Sequence, residues 1–459
     1  MNKNLDQYKR IIRATSALLV IISTVLVFGQ IWKEYYNGGI VFPFYYKGHL
    51  MVMALYAFFV VLFFAIYGGL QFGYLKCTSI ILSQFLAVIC ANAVTYLQTV
   101  LLSAKFVTIM PIIYLTLIDF GIIIVLANVI TFIFKKLFPP KQMLVLYEDY
   151  EPDKMLKKMG TRNDRFALKE AHNVHDFTEK ELIKEVKKYD AVVAYDVHSV
   201  TRNKIMKICY AESIRFYTTP KISDIMIKGS ETMHLFDSPL LLMRNNGLLF
   251  EQKIVKRLMD IIISALVLLI TSPVLLIVAI MIKCYDGGPV MFRQDRCTIN
   301  GKVFSIHKFR SMIVNAEAGG KVIPATENDP RITPIGRFIR KTRIDELPQM
   351  IDILQGNMSV VGPRPERVEH VKAYTDDIPE FEYRLKVKGG LTGFAQIYGK
   401  YNTTAYDKLK MDLMYIQNYS LKLDIKLIFM TVKIMFMKES TEGFEKSADK
   451  STNNKSINK

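Results

Sequence analysis

Cysteine is scarce and scattered: Cys77, Cys90, Cys209, Cys284 and Cys297 form no CxxC pair, which excludes a disulfide framework and the usual zinc-ligand spacings. Seven histidines make neither HxH nor HExxH, so the common metal-hydrolase patterns are absent too. Carboxylates are in deficit. Sixty Lys and Arg stand against 42 Asp and Glu, a formal charge of +18, which suits anionic membranes, phosphates or nucleic acid. No nucleic-acid-binding module accompanies that charge, so nucleic acid is not expected as a partner.

Long apolar runs are plentiful in the first third. A bilayer-crossing helix needs about 20 apolar residues, and four runs suffice: Ile12 to Ile31, Met51 to Leu70, Ile80 to Leu97 and Phe106 to Phe134. The first is too long for a signal peptide and has no small-residue cleavage site. Lys3, Lys9, Arg10 and Arg13 precede it, and Lys135, Lys136 and Lys141 follow the fourth, so both ends are expected in the cytoplasm. Residues 1–138 therefore read as a four-span helical anchor in a bacterial cytoplasmic membrane.

After Pro139 and Pro140, short apolar segments alternate with polar helical ones. Met143 to Tyr147, Arg165 to Leu168, Ala191 to Tyr195 and Arg215 to Tyr217 read as strands. Thr178 with Glu181 forms a capping box, and Ser199 is expected to cap another helix. Residues 139–249 thus predict a small α/β, Rossmann-like domain. Its first turn, Tyr147-Glu148-Asp149-Tyr150, lacks GxGxxG, so a structural or regulatory role is favoured over nucleotide binding.

A fifth run, Ile261 to Ile282, is interrupted at Thr271-Ser272-Pro273. A full crossing would export Lys283, Arg293, Arg296, Lys302, Lys308 and Arg310, against the positive-inside rule. A helix that enters, breaks at Ser272-Pro273 and returns avoids this. The Ser and Thr hydroxyls can take carbonyls freed by the proline. Leu421 to Lys438 reads equally as an interfacial or a core-packed amphipathic helix. Residues 440–459 have little to bury and read as a disordered tail.

Phosphate-handling groups concentrate between Asp329 and Glu366. Arg331, Arg337, Arg340, Lys341 and Arg343 precede Asp345-Glu346-Leu347-Pro348, and Arg364 lies in Gly362-Pro363-Arg364-Pro365-Glu366. Leu347, Met350, Ile351 and Leu354 mark a helix with Pro348 in its first turn and Gly356 at its end. Asp345 and Glu346 therefore stand at a helix N-terminus, where a carboxylate is often just a cap. Two adjacent carboxylates among several arginines go beyond capping. One could attack phosphorus and the other hold Mg²⁺, while arginines neutralise a diphosphate.

Several motifs occur here in order: Lys256-Arg257 with Asp260, Ser272-Pro273, Gly288-Pro289-Val290, Phe292-Arg293-Gln294, Lys308-Phe309-Arg310-Ser311-Met312, Asp345-Glu346-Leu347-Pro348-Gln349 and Val361-Gly362-Pro363-Arg364-Pro365. From about Phe250 to Lys438 the chain resembles the monotopic phosphoglycosyl transferases. With the segments ahead of that region, it resembles the large polyprenyl-phosphate hexose-1-phosphate transferase subgroup.

The resemblance implies a mostly α catalytic domain over 250–439 with a re-entrant helix. It also implies Asp345 as nucleophile, Glu346 as magnesium ligand, and phosphate or uridine contacts around Arg364. Arg310, Arg337, Arg340, Arg343, Pro363 and Pro365 join Arg364 as expected substrate-binding residues. The expected reaction moves a sugar-1-phosphate from a UDP-sugar to undecaprenyl phosphate and releases UMP, opening capsule, exopolysaccharide or glycoconjugate assembly. Expected partners are UDP-sugar, polyprenyl phosphate, membrane lipids and a second copy in a homodimer. Two positions depart from the family pattern: Thr298 where many members have Gly, and Gly389 where many have Pro. A catalytically silent scaffold is the competing reading, and the intact Asp345-Glu346 pair argues against it.

Overall fold

The computed structural model describes residues 3–235, 237–243, 247–314, 316, 329–399 and 403–437. The expected tail at 440–459 lies outside them. The chain divides into two compact units, Met1–Pro220 and Lys221–Lys459.

The first unit opens with α1 (Lys9–Ile31), α2 (Lys47–Tyr67), α3 (Cys77–Ser103) and α4 (Met110–Leu137), close to the expected runs. All four are long and apolar enough to cross a membrane. Gly68, at φ +79°, ends α2 in the left-handed conformation that glycine adopts without penalty.

Behind them stands a parallel sheet of β1 (Lys141–Tyr147), β2 (Phe166–Asn173), β3 (Ala191–Tyr195) and β4 (Arg215–Thr218), in the order β2-β1-β3-β4. Helices α5 (Asp153–Gly160), α6 (Glu179–Val186) and α7 (Ser199–Ala211) connect the strands. Leu144 and Leu146 turn to one face and Met143 and Val145 to the other, so β1 is covered on both sides. The Thr178–Glu181 capping box forms. Ser199 is not a cap: His198 takes the N-cap position, with its backbone N–H donated to Glu148 at 2.7 Å.

Within this unit the sheet is tied to the ends of the apolar helices. Lys141 Nζ lies 2.6 Å from Asp6, and Arg162 donates to the Tyr74 carbonyl at 2.9 Å. The Tyr74 ring also carries the guanidinium groups of Arg13 and Arg165, at 4.2 and 4.8 Å.

The second unit begins with α8 (Ile222–Lys228) and a hairpin of β5 (Glu231–Leu235) and β6 (Ser238–Leu242). Sequence patterning assigns these residues to the middle domain. Ile222 and Ile225 are instead buried with Ile353, Phe381 and Leu413 of the second unit.

Helix α9 (Phe250–Asp286) follows, and its backbone stays helical through Ser272 and Pro273, where the sequence suggests a break. Pro273 has no N–H for the Leu269 carbonyl, and the Ser272 hydroxyl donates to that carbonyl at 2.8 Å. Thr271 likewise donates to Val267 at 2.7 Å. Ile263, Val267 and Leu268 pack on the main core, whereas Leu275, Val278 and Ile282 pack with Phe309 and Ile339. Between these contacts Leu269 and Ile270 are each 73% exposed.

The rest of the unit comprises the hairpin β7 (Met291–Cys297) and β8 (Val303–Phe309), then α10 (Pro334–Lys341) and α11 (Gln349–Gln355). After these come β9 (Ser359–Val361), α12 (Val368–Asp377), β10 (Gly390–Thr392) and α13 (Phe394–Tyr398). Helices α14 (Ala405–Gln417) and α15 (Leu421–Met435) close it. Helix α15 buries Asp424 and Leu427 while Ile425, Val432 and Met435 stay exposed, so it packs on one face and shows an apolar one.

Candidate active site

The motif Lys256-Arg257 with Asp260 lies at the start of α9 and works as a clamp. Lys256 Nζ reaches Asp424 at 2.6 Å and the Tyr415 hydroxyl at 3.2 Å. Arg257 donates to the Ile353 and Leu354 carbonyls at 2.6 and 2.7 Å, closing the C-terminal end of α11. Asp260 accepts from the Ser359 hydroxyl and the Val360 N–H, which positions β9. The clamp therefore holds α11 and β9, the elements next to the Asp345–Glu346 turn and the Pro363-Arg364-Pro365 segment.

Asp345 and Glu346 occupy a separate 3-10 turn, Ile344–Glu346, just ahead of α11. Arg343 enters this turn at φ +59°, a left-handed conformation that costs a non-glycine residue ~1–2 kcal/mol. Strain of this kind persists where the surroundings hold it, often at functional sites. Both residues are buried.

Glu346 is encircled by cations. Its Oε1 lies 2.9 Å from Lys308 Nζ and 3.1 Å from an Arg364 nitrogen, and its Oε2 is 3.9 Å from Arg343. Burial opposes ionisation, but Arg364, Lys308 and Arg343 together win and hold the carboxyl far below its ordinary range. Asp345 is balanced differently. Burial raises its pKa and the Glu346 charge adds to that, while Lys308, 3.8 Å away, and Arg340 pull it down; the net direction is upward. Glu346 is thus biased toward its charged form, and Asp345 is paired less tightly.

The Pro363-Arg364-Pro365 segment is immobilised through its backbone. The carbonyls of Pro363, Arg364, Pro365 and Glu366 accept in turn from Gly390 N–H (2.8 Å), Arg384 (2.9 Å), Arg296 (3.2 Å) and Cys297 N–H (3.0 Å). Arg384 is itself fixed to Asp412 at 2.8 Å. Gly362 is required here, because a Cβ would lie 2.5 Å from the Lys388 carbonyl.

The expected residues do not all converge. Arg343 and Arg364 reach Glu346, and Arg340 acts on Asp345 through its charge. Arg337 lies on an exposed face of α10. Arg310 pairs with Asp286 at the end of α9, one contact being 2.7 Å, and so secures the helix rather than the carboxylates. Ser272 and Pro273 lie within the membrane-length helix. Lys308, Arg296 and Arg384 were not assigned roles from sequence. The motif Lys308-Phe309-Arg310 offers two cations, and only the fold separates the one for Glu346 from the one for Asp286. Nothing local in Pro379–Lys386 marks Arg384 as a brace.

Oxygen donors are what Mg²⁺ prefers, with one or two protein carboxylates completed by substrate phosphates. An ionised Glu346 beside Asp345 fits that pattern. Among the described residues no group of three or more His, Cys, Asp or Glu gathers as a self-sufficient metal cage.

Residues 251–438 match the family model described as "Bacterial sugar transferase". The UDP-glucose:undecaprenyl-phosphate glucose-1-phosphate transferase of Klebsiella pneumoniae is 46% identical over 219 residues, 47% of this chain and 45% of that protein. The UDP-N-acetylgalactosamine-undecaprenyl-phosphate N-acetylgalactosaminephosphotransferase of Aeromonas hydrophila is 37% identical over 255 residues, 54% of this chain and 59% of that protein. The chain thus spans about half the length of these relatives. An uncharacterized sugar transferase, EpsL, of Bacillus subtilis (strain 168) is 36% identical over 189 residues, 41% of this chain but 91% of that protein. The region matched by the family model contains the clamp, the carboxylate pair and the braced Pro-Arg-Pro segment, and the match to the Bacillus protein covers 91% of that protein; the chain belongs to the bacterial sugar transferase family.

Proposed function

We propose that this chain transfers a sugar-1-phosphate from a UDP-sugar to undecaprenyl phosphate, releasing UMP, as the first membrane step of a surface glycan. The observation that carries this reading is the adjacent buried pair: Glu346 held ionised by three cations, and Asp345 beside it. Family membership and the activities named for the Klebsiella and Aeromonas relatives support it.

In this mechanism Arg343, Arg364 and Lys308 balance the diphosphate charge as the donor enters. An Asp345 carboxylate oxygen attacks the phosphorus that bears the sugar. The bond to the bridging oxygen breaks, and UMP departs with that electron pair. The acyl phosphate left on Asp345 is then attacked by a phosphate oxygen of the carrier, which restores the carboxylate. When bound, Mg²⁺ held by Glu346 would further neutralise the diphosphate. Arg296 and Arg384 hold Arg364 in place, so little reorganisation is needed.

The carrier phosphate would arrive from the membrane. Of the five helices of membrane length among the described residues, we assign α1 to α4 as crossing spans and α9 as re-entrant, turning by a bend at Pro273 in place of the break the sequence suggests. Support comes from the packing of Leu275, Val278 and Ile282 on Phe309 and Ile339, within the unit that also buries Lys256 and Asp260. A crossing helix would deliver Ile282 beyond ~30 Å of hydrocarbon, away from that unit. The strand order of the sheet, reversing between β1 and β3, supports a Rossmann-like reading of the middle domain. A screen of UDP-sugars for UMP release with undecaprenyl phosphate tests the proposal. No release from any sugar, with folded protein and Mg²⁺, would refute it.

A further inference from the structure

The first unit contains a cavity of about 280 Å³ between the ends of the membrane-length helices and the amino-terminal edge of the sheet. Its walls come from the start of α1, the α2–α3 connection, the end of α4 and the first residues of β1, β2 and β4. Six cations line it: Lys9, Lys76, Lys135, Lys141, Arg165 and Arg215. The carboxylates are two, Asp6 and Asp164.

Those carboxylates are already committed. Arg162, outside the cavity lining, takes both oxygens of Asp164 at 2.9 and 3.0 Å. Lys141 and Arg215 share one oxygen of Asp6, at 2.6 and 3.3 Å. Lys9 rests over the Phe138 ring at 4.8 Å, and among the described residues neither Lys9 nor Lys135 has a carboxylate within ion-pair distance. The Thr131 hydroxyl, also on the wall, is buried with no hydrogen-bond partner among the described residues. Leu75, Phe134, Phe138 and Phe166 make the remaining wall apolar.

A positive cavity with an apolar side, at the level where four membrane-length helices end, matches a molecule with a phosphate at one end and hydrocarbon at the other. We propose that this cavity binds the phosphate of an anionic lipid against Lys9 and Lys135, with its hydrocarbon along Phe134 and Phe138. The site is separate from the Asp345–Glu346 pair and stabilises the junction of anchor and sheet.

Lipid retention on the full chain tests this by native mass spectrometry. The protein is reconstituted in phosphatidylcholine nanodiscs, alone or doped with phosphatidylglycerol or with undecaprenyl phosphate. The expected result is one anionic lipid retained in strong preference to phosphatidylcholine, with retention roughly thirtyfold weaker in Lys9→Gln/Lys135→Gln, as two cations at a headgroup imply. Preference for phosphatidylglycerol identifies bulk lipid as the source, and preference for undecaprenyl phosphate identifies the carrier; either upholds the site. Equal retention of phosphatidylcholine, displacement by millimolar inorganic phosphate, or retention unchanged in the double variant overturns it. Thr131→Leu, which fills the cavity and keeps every charge, must weaken retention as well, so the outcome does not hang on one variant folding. The readout is lipid mass rather than turnover, so failure of this site and failure of the transfer reaction are distinguishable.

Discussion

Thr298 and Gly389 are hydrogen-bonded to each other: Gly389 N–H donates to the Thr298 hydroxyl oxygen at 3.1 Å. The same hydroxyl donates to the Asn357 carbonyl at 2.9 Å. Proline at 389 would have no N–H to give, and glycine at 298 would have no oxygen to receive it. The Thr298 hydroxyl therefore joins the loop after α11 to the residue that precedes β10.

The double-mutant cycle is the first expectation. Thr298→Gly alone should cost ~1 kcal/mol or more, since the buried Gly389 N–H and the half-buried Asn357 carbonyl lose their partner. Gly389→Pro alone should also destabilise. The double variant should lose less than the sum of the two, by at least ~0.5 kcal/mol. Chemical denaturation of the four proteins measures the coupling, and strict additivity would refute it.

Asp345→Asn should bind donor yet lose turnover on the order of a thousandfold or more, because an amide cannot form the acyl phosphate. Wild-type protein given UDP-sugar and Mg²⁺ without lipid should carry a sugar-phosphate on the Asp345 peptide by mass spectrometry. Glu346→Gln should weaken metal dependence. Absence of the adduct, with substantial activity in Asp345→Asn, would point to direct transfer.

The pH profile has a defined sign. Attack needs ionised Asp345, whose pKa is raised above the ordinary 3.8, first by burial and then by Glu346. Activity should therefore fall on the acid side at a pH above that ordinary value. Lys308 lowers the Asp345 pKa, so Lys308→Met should move the acid limb of kcat/KM to higher pH, whereas Lys308→Arg should move it less. An unmoved limb would assign the ionisation to another group.

Topology is testable by cysteine labelling in a background without native cysteines. Lys253→Cys, before the apolar run of α9, and Lys302→Cys, after it, should both resist an impermeant maleimide in intact cells and react after lysis. Reaction at Lys302→Cys alone in intact cells would show that α9 crosses.

A fragment beginning at Gly247 should retain the transfer reaction, since the whole match to the family model, residues 251–438, lies within it. The anchor would then contribute stability and placement. A folded fragment, verified by a cooperative melt, that makes no UMP would contradict this.

Much of this was legible in one dimension because it depends on composition or local geometry. Membrane-length helices announce themselves by run length, and the Thr178–Glu181 box is a four-residue object. The proximity of Asp345 and Glu346 is covalent, so no folding was needed to pair them. Ser199 misled because its neighbour His198 bonds Glu148, 50 residues away in the loop after β1, and capping statistics contain no such partner. Ile222 and Ile225 misled likewise, since an apolar residue does not say which core it enters.

Sequence by itself determined the membrane-length helices, the strands of the sheet and the carboxylate pair, because hydropathy, periodicity and adjacency are properties of neighbouring residues. Tertiary structure alone decided that Lys308, rather than Arg310, serves Glu346, that Arg384 braces Arg364 from 20 residues away, and that Thr298 completes Gly389. The physical reason is that a cation's partner is set by which carboxylate lies within a few ångströms after burial, and a linear chain carries no record of that distance.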